Sequence, residues 1–140
     1  MKTLSLALFA ALVSAGAQAQ SPSTPAPFEL PEGCRGGGTM AMPAGMGNMD
    51  MPGADEAHRG LQQAMMRMNP AMMQGMSAKD PDVAFVCGMI AHHLGAVEMA
   101  KVQVRYGKDP EAKRMAEKSI KEQEEEAKEM TRWVQRHAGK

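Results

Sequence analysis

The chain has 140 residues, of which 44% are hydrophobic, 23% charged and 4% aromatic, with 16 basic and 16 acidic side chains. Losing Lys2 with an export leader leaves 15 basic against 16 acidic residues, a net charge near −1, so the basic surplus that a nucleic-acid partner calls for is missing. Sixteen methionines are about five times an average share, and with so few aromatics a core must be built from Met, Ala, Val, Ile and Leu.

Residues 1–19 read as an export signal. Lys2 gives a positive start, Leu4 to Val13 an apolar centre, and Ala17-Gln18-Ala19 a small-residue cleavage site before Gln20. The apolar stretch is too short to span a bilayer. No cysteine follows the cleavage site, which argues against an acyl anchor. The mature chain is therefore expected outside the cytoplasm, most simply in a bacterial periplasm, with no later segment spanning a membrane.

Residues 20–53 are rich in Pro, Gly, Ser and Met and lack apolar periodicity, the composition of a loosely held tail. Met40, Met42, Met46, Met49 and Met51 place five thioethers in twelve residues. No core is there for them to fill. Soft-metal capture, sacrificial oxidation and an adaptable apolar binding surface are the explanations that remain. Capture of copper or silver is the strongest, because thioethers are not lost to disulfides in an oxidising compartment.

Residues 54–140 should form one helical domain. Asp55 to Met76 is helix-prone, and Asn69-Pro70 should kink it or split it in two. Asp80-Pro81 provides a cap and a first-turn proline for a helix running to Tyr106, with Gly107 as its stop. Asp109-Pro110 repeats the signal for a last helix to about His137, joined closely enough to fold back as a hairpin. The fold class is all-α: a small antiparallel bundle of three or four helices.

In the middle helix Phe85, Met89, His92, Ala96 and Met99 form one apolar stripe. Val86, Ile90, His93, Val97, Ala100 and Val104 form its neighbour, and together they predict a wide buried face. Ala116, Ile120, Gln123, Ala127, Met130 and Val134 make the facing seam of the last helix. Glu122, Glu124, Glu125, Lys121 and Lys128 fall outside it, on a solvated face.

Two imidazoles pointed at a seam need partners. One solution is a hydrogen-bond network of His92, His93 and Gln123 among packing methionines. The other is a metal site, with Met89 and Met99 on the same helix face and Met115 or Met130 on the last helix. Neutral imidazole is the ligand form, so acid through the histidine range should weaken such a site. Met89-Ile90-Ala91-His92 has methionine where a dinuclear iron bundle needs glutamate, and no covalent haem, zinc or nucleophile motif appears. A non-covalent haem would want more bulky lining than this chain has. His137, near the C-terminus, is expected to be exposed. Cys34 and Cys87 are the only cysteines; they pair or stay free according to a geometry that spacing does not give.

Residues 82 to 137 carry Asp82-x-x-Phe85, Met89-Ile90-x-His92-His93-x-Gly95-Ala96, Met99-Ala100 and Gly107-Lys108-Asp109-Pro110, and with these they resemble the bacterial family called domain of unknown function 305. Ala116, Ile120, Gln123, Glu126, Met130 and Trp133 fit its last helix, and Met68 and Met72 its first. The resemblance implies a ferritin-like bundle, export and, for some members, copper or silver binding in metal tolerance. Three positions depart from the family pattern: Ala91 replaces a usual proline, Leu94 a usual glutamine, and Asn69 stands where a histidine often occurs.

These readings lead to a non-enzymatic periplasmic protein that buffers or hands on monovalent copper, with silver as a second ion. The structured ligands are expected among Met89, His92, His93, Met99, Met115, Met130, Met68 and Met72, with the five tail methionines as a capture arm. A copper acceptor or efflux protein is the implied partner, and a second copy of the chain is a further candidate to close the apolar faces. A metal-free exported interaction module and a haem-binding bundle are the alternatives.

Overall fold

A computed structural model describes residues 25–35 and 53–138. Three helices follow one another: α1 (Glu56–Met76), α2 (Pro81–Tyr106) and α3 (Pro110–His137), preceded by a short 3₁₀ turn at Glu32–Cys34. Each helix begins on an aspartate whose side chain accepts a backbone N–H three residues on. Asp55 caps His58 N at 2.9 Å, Asp80 caps Val83 N at 2.9 Å, and Asp109 caps Ala112 N at 2.8 Å. These bonds satisfy donors that a helix start otherwise leaves unpaired. Pro81 and Pro110 occupy first-turn positions, where no N–H is missed. The expected start signals and the ends at Tyr106 and His137 are all present.

α2 is the middle layer, packed against α1 on one side and α3 on the other. This explains its unusual composition. It is long and apolar enough, with mean hydropathy 1.5 over its best window, to cross a membrane by length and composition alone, although no segment beyond the leader was expected to be so. Half of that window is buried within the fold. A helix with neighbours on several sides has little use for a polar face.

α1 departs from expectation by running unbroken through Pro70. The lost hydrogen bond and ring clash cost about 3 kcal/mol in a helix interior. Packing along α2 offsets that cost, since Ala64, Ala71 and Gly75 are buried on one side of α1. At Gly75 the approach is close enough that a Cβ would lie 2.6 Å from the carbonyl carbon of Cys87. The bundle therefore has three helices among the described residues, the lower of the two numbers expected.

The stretch Pro25–Arg35 also departs from the loose tail expected of it. Phe28, Leu30 and Cys34 are buried with Ala71, Val83, Cys87, Ile90, Ala91 and Val134 in one core. The Phe28 N–H donates to the Arg67 carbonyl at 3.3 Å, Arg67 Nε donates to the Ala26 carbonyl at 3.1 Å, and the Arg67 guanidinium lies 4.2 Å over the Phe28 ring. Further along, Cys34 is joined to Cys87 of α2, with Cα atoms 5.5 Å apart, and Gly33 abuts Val134 and Ala138 beyond it. The segment thus straps across all three helices. Pro and Gly hid it from a periodicity argument, because an extended strap has none.

Candidate metal-binding face

His93 is buried at 5% exposure, and both ring nitrogens have partners. Nδ1 donates to the Met89 carbonyl at 2.7 Å, one turn back on α2. Nε2 lies 2.6 Å from Glu126 Oε2 on α3. Both neighbours are hydrogen-bond acceptors, so the imidazole serves as a tie between helices. A metal ion approaching Nε2 would first have to displace the Glu126 carboxylate. A backbone carbonyl on one ring nitrogen also fixes the ring's orientation, as it does behind many metal-bound histidines.

His92 is different. It is solvent-exposed, as is Phe85 at 66%, so the stripe they share does not face the seam as its spacing suggested. Met89, Ala96 and Met99 on the same stripe are half-buried. The neighbouring stripe behaves as expected, with Ile90, His93, Val97 and Ala100 buried. The two imidazoles meet edge to face, with ring centroids 5.9 Å apart. They look out of different environments.

α1 supplies the second wall of this open side. Met65, Met68, Met72 and Met76 recur at three- and four-residue spacings and so share one flank of α1. The close approaches of Met68 to Gly95 and of Met76 to Gly88 set the antiparallel register of α1 on α2. In that register Met65 falls level with Met99, and Met72 level with His92. A Cβ on Gly95 would come within 2.7 Å of Met68 Cγ, so the absence of a side chain there seats Met68 against α2. Met65 and Met76 were absent from the expected ligand set; their spacing with Met68 and Met72 was the available signal.

α3 contributes less than expected. Met130 is half-buried, packed against the core, and lies one turn beyond Glu126 and so level with Met89. Met115 is 61% exposed near the other end of α3 and is not brought to His92 or His93. Gln123 Oε1 is buried without a hydrogen-bond partner, so the seam network expected of it is not formed; Glu126, three residues on, takes the histidine instead. His137 is exposed and stacks on Trp133 with ring centroids 4.3 Å apart. Met40, Met42, Met46, Met49 and Met51 lie outside the described residues.

Among the described residues no three His, Cys, Asp or Glu side chains are grouped to hold a metal ion. A hard-ligand or thiolate cage therefore has no framework there, and both cysteines are bonded to each other. The face offers thioether sulfur and one exposed imidazole, a donor set that suits soft monovalent ions.

The family described as domain of unknown function (DUF305) matches residues 11–134. The chain belongs to that family. Its match runs through the methionine-rich segment as well as the helices, which is wider than the 82–137 resemblance legible from motifs. No curated protein matches the chain.

Proposed function

We propose that this chain is an exported protein that binds monovalent copper, and accepts silver, on the open face of α1 and α2, and that it buffers the ion or passes it to an acceptor. The observation that carries this reading is the alignment of the α1 methionine flank with Met89, His92 and Met99 of α2. Thioethers packed for core volume alone would not need an exposed imidazole level with them. His92, with Met89 three residues before it on α2 and Met72 level with it on α1, acts as a ligand, and Met68 and Met99 extend the set along the face. His93 holds α2 to α3 and orients the neighbouring turn. The disulfide between Cys34 and Cys87 supports export, since such bonds persist in oxidising compartments. No bond-making catalysis is proposed.

Titration of the mature chain with Cu(I) against a chromophoric competitor tests the reading. Ascorbate must hold the copper reduced, because thiols would compete for it and break the disulfide. His92→Ala and Met72→Leu should each weaken binding by roughly tenfold, about 1.4 kcal/mol. Leucine conserves the volume of methionine, so the fold should be retained. Unchanged retention of copper in the double variant would remove this face from the proposal.

A further inference from the structure

We infer that Cu(I) draws two copies of this chain together through the open face, so that each bound ion takes ligands from both. This rests on the proposed copper binding and adds the occupant of the face.

The central helix has four sides. α1 and α3 cover two, the strap of Phe28, Leu30 and Cys34 covers the third, and the side carrying Phe85 and His92 is left open among the described residues. From Phe85 to Met99 the open stripe contains no Asp, Glu, Lys or Arg, although 23% of the chain is charged. The α1 flank from Met65 to Met76 is likewise uncharged at its stripe positions. An exposed phenylalanine in an uncharged thioether field suits an apolar protein surface.

Its size narrows the choice. Fourteen residue steps from Phe85 to Met99 make about 21 Å at 1.5 Å per residue. With a second helix packed about 9 Å away, the patch covers on the order of 400 Å². A stable partner of standard size needs about 800 Å² per side. The face is thus too small to hold a partner by area alone and needs a further bond.

Metal ligation supplies that bond and selects a second copy as the partner. Ligands that rise from two adjacent helices reach an ion from below only. A two-fold pair brings an identical donor set from above. In a closed two-fold interface the residue at the axis meets its own copy. His92 is the midpoint of the stripe, seven residues after Phe85 and seven before Met99, so it is the residue that such an axis brings opposite itself.

Sedimentation of the mature, disulfide-intact chain in ascorbate, with and without Cu(I), tests the inference. The apo chain should run as a monomer and the copper-loaded chain at twice its mass, and Ag(I), added in a separate buffer free of ascorbate and chloride, should produce the same doubling. Phe85→Ser, on an exposed side chain, should keep helicity and copper uptake but lower the dimer association constant at least tenfold. His92→Ala should abolish the doubling. Copper bound with no change in mass overturns the inference and leaves copper binding standing; it would also point to closure of the face from within one chain. Failure to bind copper at all overturns the proposed function itself. Doubling without metal, or doubling indifferent to Phe85→Ser, assigns the dimer to another surface and overturns the inference as well.

Discussion

The two flanks of α2 carry the same kind of sequence and end in opposite environments. On one flank Ile90 and Leu94 sit beneath the strap of Pro25–Arg35, with Phe28 and Leu30 buried and Cys34 bonded to Cys87. On the other, Phe85, Met89 and His92 have the same three- and four-residue rhythm and no covering segment among the described residues. Apolar periodicity therefore tells which residues share a side of a helix. What covers that side is decided by segments far away in the chain. The adjacent histidines show the same contrast in miniature, one tied into the fold and the other left to solvent.

Breaking the strap should have the largest effect. The bond between Cys34 and Cys87 spans 53 residues. In the chain-entropy account, a loop of that length contributes about 4 kcal/mol by restricting the unfolded chain. The Cys34→Ser, Cys87→Ser double variant should lose about that much in urea unfolding, with helix content largely retained at 25 °C. Loss of well under 1 kcal/mol would mean that Phe28 and Leu30 hold the strap without help.

The histidine pair should separate next. His93→Ala removes a buried ring and both of its partners' bonds, and should cost about 2 kcal/mol in chemical denaturation. His92→Ala should stay within about 0.5 kcal/mol, as exposed substitutions do. If the proposed copper site is right, the order should reverse for Cu(I) affinity, with His92→Ala the more damaging change. Equal stability losses would show that the two sides of α2 are not as different as their exposure implies. Glu126 is 55% exposed, so its pairing with His93 is screened, and Glu126→Ala should cost less than His93→Ala.

Backbone contact and side-chain contact can be told apart at two glycines. Gly75→Ala pushes a methyl against the backbone of Cys87 and Gly88, neither of which yields easily. It should cost about 1–3 kcal/mol, the range of overpacked cores. Gly88→Ala meets only Met76, at Cγ 2.8 Å and Sδ 3.7 Å, and rotation of that exposed side chain can clear the methyl. It should destabilise less than Gly75→Ala in paired thermal melts of the two variants; equal losses would show that Met76 cannot give way.

The helices were legible because their signals are local. Asp80-Pro81, Asp109-Pro110 and Gly107 act within one turn, and the observed ends fall on them. Pro70 misled for the same reason: its penalty is local, while the packing of Ala71 and Gly75 that offsets it is not. The candidate site was half legible. Spacing put Met89, His92 and Met99 on one stripe but gave the stripe the wrong environment. Glu126 was hidden among the acidic residues of α3, since charge alone does not show which carboxylate reaches a buried ring. Met115 fits the seam rhythm loosely and lies too far along α3 to take part. The strap left no periodic trace at all.

The smallest effect is expected at the start of α1, far from the contrasted flanks. The Asp55 carboxylate accepts the His58 backbone N–H and also bonds the His58 ring at 2.8 Å, and the backbone bond is the main reason its pKa is held below the ordinary value of 3.8. A carboxyl whose folded-state value is depressed favours folding above its unfolded value, and that contribution disappears as pH falls through the folded one. The first turn of α1 should therefore stay capped at pH 4 and fray only in stronger acid, followed by the His58 amide shift in NMR. Asp55→Asn should keep most of the cap and remove the pH response, because an amide oxygen still accepts the bond. An amide that already titrates above pH 4 would place the cap's origin elsewhere. Because the group is fully exposed, the open face and the strap should not register the change, and copper affinity measured across the same acid range in Asp55→Asn should match that of the unaltered chain.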